Sequence, residues 1–258
     1  MQTQIWAHRG SSHEFIENSI LAFQQAIDVG ADGVELDVQR TNDGKLVVYH
    51  DEKLKRLTGN DHFLWELTWD ELQELTLSTT KEKIPSLEDV LLLFKTTNLT
   101  INIELKNNIY FYSGMEAEVL QLVKKLGLED QVLYSSFNHG SMKRMVELAG
   151  ARKCAILTSD VLVEPWDYVQ KTGAKAFHPM INHLQQKHLV QNCRENGLKV
   201  HVWTPDEAPY IYASLLLDVD AIITNEPKKA LALRQQFLSD GGAKAVEVVR
   251  AFGLSIKE

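Results

Sequence analysis

The stretch Gly33-Val34-Glu35-Leu36-Asp37-Val38 carries a contradiction that decides the fold. Val34, Leu36 and Val38 have the period of a buried strand, yet Glu35 and Asp37, two apart, share one of its faces. An unpaired charge in a core costs on the order of several kcal/mol, so that face must line a polar site. Three more runs repeat the pattern: Ile5-Trp6-Ala7-His8-Arg9-Gly10, Leu46-Val47-Val48-Tyr49-His50-Asp51 and Ile101-Asn102-Ile103-Glu104-Leu105-Lys106. Four such violations in one half of the chain point to a shared site at the ends of neighbouring strands.

Working outward, candidate strands fall near 4–8, 33–38, 100–105, 132–136, 153–157, 175–178, 199–203 and 221–224. Helical patterns lie between them at Asn18–Val29, Met115–Leu126, His139–Ala149, Pro165–Thr172, Leu184–Asn196 and Asp206–Leu217. This alternation predicts an α/β fold with a parallel sheet, and eight strands in 258 residues favour a closed (β/α)8 TIM barrel. A doubly wound open sheet is the rival, but no Gly-x-Gly-x-x-Gly follows any of these strands.

One region departs from the alternation. Thr41-Asn42-Asp43-Gly44 is a turn, and Lys45–His50 reads as a strand running back. With Asp43-Gly44 as a two-residue loop, Asn42 faces Lys45 and Asp37 faces His50. Residues 51–85 are then a small insertion after the second strand, placed over the barrel mouth, followed by a helix at Leu87–Phe94 opened by Ser86. The whole of 1–258 is read as one barrel domain, with 240–258 as a C-terminal extension. Its amphipathic stretch Ala243–Phe252 is left to pack on the barrel, pair with another subunit or stay loose, so a homodimer is an open arrangement.

The formal net charge of −8 argues against nucleic acid as the main partner, because phosphate neutralisation needs clustered Lys and Arg. Cys154 and Cys193 have no metal-ligand spacing and suit a reducing compartment. No signal-peptide pattern is evident and no apolar run approaches the roughly 20 residues of a membrane span, so a cytoplasmic location without a transmembrane segment is expected.

Glu35 and Asp37, joined by Glu104, form an all-oxygen ligand set that favours one divalent cation, Mg²⁺ or Ca²⁺. His8 and His50 are the candidate acid–base pair, since imidazole gives and takes protons near neutral pH. Arg9 and Lys106 suit an anionic substrate, and Gly10 would let the backbone approach a ligand. Glu17, before an Asn18 helix cap, either touches the metal shell or serves the helix N-terminus. His178 and Trp203, at later strand ends, either contact substrate or pack the rim. The remaining histidines, His201 among them, are read as surface or structural.

Together these residues resemble the glycerophosphodiester phosphodiesterase family. The resemblance rests on His8-Arg9-Gly10, Glu17-Asn18-Ser19, Gly33–Val38, Thr41-x-Asp43-Gly44, Val48-x-His50-Asp51, Ile84–Glu88 and Ile103–Lys106. It continues through Ser135-Ser136-Phe137, His178-Pro179, Val202-Trp203-Thr204 and Ile223-Thr224-x-x-Pro227, in order over about residues 4–230. It implies a TIM barrel with a small insertion that hydrolyses a small-molecule glycerophosphodiester to glycerol 3-phosphate and an alcohol with a divalent cation. Glu35, Asp37 and Glu104 match the family's metal ligands, His8 and His50 its general acid and base, and Arg9 and Lys106 its phosphate-holding positions. Ile16 stands where the family usually has Pro, and Asn225 where it usually has Asp. The rival reading within the family is a lysophospholipase D, for which Phe63, Trp65 and Trp69 would supply an apolar path. A binding-only barrel and a metal-dependent sugar isomerase fit the retained histidines and carboxylates less well.

Overall fold

The computed structural model describes residues 2–78 and 80–254. Its strands, in chain order, are β1 (Gln4–His8), β2 (Gly33–Arg40), β3 (Leu46–Val48), β4 (Thr100–Leu105), β5 (Val132–Ser136), β6 (Cys154–Thr158), β7 (Ala176–Pro179), β8 (Lys199–Trp203) and β9 (Ala221–Thr224). All but β3 are parallel, and β1 pairs with both β2 and β9, so eight strands close a TIM barrel. Helices α1 (Ile20–Asp28), α4 (Leu87–Phe94), α5 (Met115–Leu126), α6 (His139–Ala149), α7 (Pro165–Thr172), α8 (Leu189–Glu195), α9 (Ala208–Leu216) and α10 (Pro227–Ser239) lie between or after the strands. Val34, Leu36 and Val38 of β2 pack outward with Ile101, Ile103 and Leu105 of β4 and with Phe23 of α1 and Phe94 of α4 in one continuous core. That outward packing leaves the alternate residues of both strands to line the barrel interior.

β2 is longer than its neighbour. Gly33–Glu35 pair with β1, and Val38–Arg40, beyond the end of β1, pair antiparallel with β3 on the same edge. The hairpin register differs by one residue from the sequence expectation. Val38 faces Val48, Thr41 faces Lys45, and the Tyr49 N–H donates to the Asp37 carbonyl at 3.0 Å, so Tyr49 and not His50 stands opposite Asp37. The reason is a three-residue loop: the Gly44 N–H closes onto the Thr41 carbonyl, and the Thr41 hydroxyl bonds the Asp43 carboxylate and accepts from the Lys45 N–H.

Two helix expectations are also corrected. The helix expected at Asn18 begins at Ile20, capped by Ser19, because Asn18 has a left-handed backbone and turns its side chain inward. The helix expected over Leu184–Asn196 is a 3-10 turn, Ile181–Gln185, then α8, broken where His188 takes a left-handed backbone. Between β3 and α4 lie α2 (Lys55–Thr58), a 3-10 turn at Leu64–Glu66 and α3 (Trp69–Glu74). Leu54, Leu64, Leu72, Leu77 and Ile84 close over Val47 and Tyr49 in a separate small core. The last helix, α11 (Ala243–Phe252), packs along α9, with the Phe252 ring against Tyr210; residues 255–258 lie outside the described residues. No described helix is long and apolar enough to cross a membrane.

Candidate active site

Parallel pairing sets the site's geometry. His8 stands beside Glu35 across β1 and β2, and Asp37 beside Glu104 across β2 and β4. Oxygens of Glu35, Asp37 and Glu104 lie within 4.8 Å of one another, and the three residues are 3%, 0% and 7% exposed. Two cations answer them. Arg9 Nε is 3.1 Å from Asp37 Oδ2, while Lys106 Nζ is 3.0 Å from Glu104 Oε1 and 3.8 Å from Asp37 Oδ1. Asn18 Nδ2 donates to Asp37 Oδ2 at 2.8 Å, and the Arg9 N–H donates to Glu35 Oε2 at 3.1 Å.

Three buried anions against two cations leave an excess of negative charge. Burial, then the Asp37 and Glu104 charges, push the Glu35 carboxyl well above the ordinary carboxylate range. Asp37 goes the other way: burial opposes ionisation, but Arg9, His50 and Lys106 outweigh it and hold the carboxyl low. Glu104 is raised by burial, with Lys106 offsetting part of the effect. Lys106 stays a cation despite burial because Glu104 and Asp37 flank it. Glu35 Oε1 and Asp37 Oδ1 are buried without hydrogen-bond partners. Unpartnered oxygens from converging carboxylates are what a hard cation satisfies, so this donor set fits Mg²⁺ or Ca²⁺.

The two histidines approach from different elements. His8 ends β1; its Nδ1 is 2.7 Å from Asn225 Oδ1 and its Nε2 is 3.8 Å from Glu35 Oε2. Burial, then the Arg9 charge, pull this imidazole down to about 4, against the Asn225 bond that raises it. His50 follows β3, with Nδ1 2.7 Å from Asp51 Oδ1. Its position depends on Gln39, whose Nε2 lies 2.7–3.2 Å from the carbonyl oxygens of Tyr49, His50 and Asp51. Gln39 continues the inward face of Glu35 and Asp37, and in spite of the shifted register His50 lies near enough for its charge to act on Asp37 and Glu104.

Glu17 is tied to arginines. It accepts from Arg9 at 2.9 Å and from Arg56 of α2 at 2.7 and 2.9 Å, and Arg56 also holds Asp51. Arg56 thus joins the 51–85 segment to the β1–α1 loop. Gly10 serves packing and not ligand approach: with φ +82°, a Cβ there would sit 2.6 Å from the Ala22 backbone of α1. Trp203 donates its indole N–H to the His178 carbonyl at 2.8 Å and stands edge-on to Phe137, over which Lys106 Nζ lies at 5.9 Å. Trp203 and Phe137 therefore form an aromatic wall beside the Lys106 cation. His178 lies elsewhere. It is 0% exposed, its Nε2 is 2.7 Å from His201 Nδ1, and both rings pack on Trp6, which leaves no surface for a substrate to touch.

The sequence reading assigned no site role to Gln39, Arg56, Phe137 or Asn225. Phe137 and Asn225 carried a signal as motif positions and Gln39 the i+2 spacing from Asp37; Arg56 had none.

The closed barrel thus gathers buried carboxylates, two histidines and two cations at neighbouring strand ends. The Glycerophosphoryl diester phosphodiesterase family profile matches residues 8–229, and the chain belongs to this family. It is 38% identical over 242 residues to a glycerophosphodiester phosphodiesterase of Bacillus altitudinis (91% of this chain, 99% of the relative). It is 36% identical over 239 residues to one of Caldanaerobacter subterraneus subsp. tengcongensis (90% and 98%). The fold superposes with a TM-score of 0.84 on an Oleispira antarctica phosphodiesterase solved with the product sn-glycerol-3-phosphate, at 23% identity, covering 91% of this chain and 97% of that one. The protein is accordingly an enzyme, a glycerophosphodiester phosphodiesterase.

Proposed function

We propose that this enzyme hydrolyses small glycerophosphodiesters such as glycerophosphocholine and glycerophosphoethanolamine to sn-glycerol 3-phosphate and the free alcohol, with His8 and His50 as acid–base pair. The observation that carries the reading is the convergence of His8 and Glu35, Asp37 and Glu104 through strand register, with His50 delivered by the hairpin. Glu35, Asp37 and Glu104 would hold one Mg²⁺ or Ca²⁺, which when bound offsets negative charge on the phosphoryl oxygens. Arg9 and Lys106 bind the non-bridging oxygens and keep their own charge through Asp37, Glu35 and Glu104. One imidazole takes the proton of the attacking hydroxyl and the other protonates the departing alkoxide; with water as nucleophile this gives glycerol 3-phosphate directly, and with the substrate's own 2-hydroxyl it gives a cyclic phosphate that water then opens with the two imidazoles exchanging roles. Phe137 and Trp203 exclude water beside the glycerol carbons, and the 51–85 segment, held by Arg56, sits over the mouth of a single barrel domain.

A second reading, a lysophospholipase D, has one observation in its favour. A cleft of about 510 Å³ is lined by Phe63 and Ile109 together with Asp51, Glu52, Lys53, Lys55 and Arg56. The loop after β4 leaves Ile109 66% and Phe111 73% exposed, and Tyr110 stacks on Trp65, itself stacked on Phe63. Trp69 takes no part, since it packs in the small core under Lys45. The test is glycerol 3-phosphate release from both small diesters under EDTA, Mg²⁺ and Ca²⁺. Metal-dependent release from either supports the first reading. Release of phosphatidate-type product from lysophospholipids alone would replace it with the second.

A further inference from the structure

Asn225 follows β9, at the far end of the barrel sequence from His8, yet its side chain is 2.7 Å from the His8 ring. An amide can present either oxygen or nitrogen, and its other partners decide which. Asn225 is held from behind by Asp206. The carboxylate Oδ2 is 2.6 Å from Asn225 Nδ2, and Oδ1 accepts from the Asn225 N–H and the Thr224 hydroxyl, both at 2.8 Å. A carboxylate only accepts, so the amide nitrogen must face Asp206 and the amide oxygen must face His8. An oxygen facing His8 Nδ1 at 2.7 Å requires a proton on that nitrogen. Ser12 Oγ, 2.8 Å from the same amide oxygen and 2.7 Å from the His8 carbonyl, closes the ring of contacts around the imidazole.

We infer that Asn225, locked by Asp206, is a positioning residue that fixes His8 in the Nδ1–H tautomer, so that its Nε2, on the Glu35 side, is the atom that exchanges the proton with substrate. Neither Asn225 nor Asp206 touches the reacting atoms. They act through His8, whose Nδ1–H stays committed to the amide oxygen while Nε2 cycles between lone pair and N–H. The inference rests on the acid–base role of His8 in the proposed reaction, but the tautomer itself is observable in the resting protein.

The first readout is therefore the ¹⁵N spectrum of histidine-labelled wild type, with the His8 signals assigned by their loss in His8→Asn. A protonated Nδ1 and a bare Nε2 are expected; a bare Nδ1 overturns the inference whatever the enzyme's activity. The second is kinetic. Asn225→Leu should lower kcat about 10–100-fold with KM and metal requirement held near wild type. The third exploits the lock. Asn225→Asp alone sets two carboxylates 2.6 Å apart in place of a donor–acceptor pair and should lose activity. Asn225→Asp with Asp206→Asn reverses the donor and keeps every contact, and should recover most of it. A kcat for Asn225→Leu within about two-fold of wild type, or a double variant no better than Asn225→Asp, would overturn the inference. Wild type that shows the Nδ1–H tautomer but releases no glycerol 3-phosphate would instead contradict the proposed reaction.

Discussion

Two pairs of histidines line this barrel, and they differ in what each ring is bonded to. His178 and His201 are bonded to each other, pack on Trp6 and are fully or almost fully buried. Burial alone takes His178 to about 3, and burial plus its neighbour takes His201 well down, so both stay neutral and inert in the floor. His8 and His50 each have a separate partner, Asn225 and Asp51, that occupies Nδ1. The side chains of this pair also stay 15% and 30% exposed, where a proton can be exchanged with a bound molecule. One pair comes from the barrel interior, the other from the end of β1 and the hairpin after β3, and partners and exposure distinguish them.

The comparison can be broken most forcefully by deleting rings. His8→Ala and His50→Ala should each lower kcat by about 10²–10⁴-fold with little change in melting temperature. Near-normal turnover in both would remove the acid–base assignment. His178→Ala should do the opposite: turnover within a few-fold of wild type, but stability down by about 1–3 kcal/mol, because His201 Nδ1 is left buried without its partner. Unchanged denaturant midpoints would show the lower pair to be dispensable.

A smaller effect sharpens the contrast in charge. Glu35→Gln should raise the urea midpoint of the metal-free protein at neutral pH while raising the metal concentration needed for activity, since it relieves repulsion that the cation otherwise relieves. An unchanged metal requirement would remove Glu35 from the ligand set. The smallest effect is its pH dependence. Glu35 is raised in the folded state, so its contribution to metal-free stability is full below the ordinary carboxylate pKa and is lost as pH rises through the raised value. Metal-free wild type should lose stability relative to Glu35→Gln over that rise, as followed by urea midpoints. A constant difference between the two proteins across the range would contradict the shift.

The carboxylates and His8 were legible because strand period 2 exposes a charge on an apolar run, and the βα alternation exposed the barrel. His50 was legible through its turn, although the register was one residue off: Thr41-Asn42-Asp43-Gly44 supports both a two- and a three-residue loop, and the Thr41 and Asp43 side chains select the latter. Asn18, Arg56 and Asp206 were hidden for a different reason. Each acts across more than eighteen residues of chain, on Asp37, Glu17 and Asn225 respectively, or lies at a backbone conformation that pattern does not reveal. His178 looked like a rim residue because a strand end shows where a side chain starts but not how deep it points.

If the layer built by β1, β2 and β4 is a metal-dependent phosphodiesterase centre, its carboxylates must bind a divalent cation. Calorimetric titration of Mg²⁺ and of Ca²⁺ into metal-free wild type and into Asp37→Asn tests it without relying on turnover. One ion should bind per wild-type chain, with binding lost or weakened at least about ten-fold in the variant. Equal binding by both proteins, or none by a folded wild type, would contradict it.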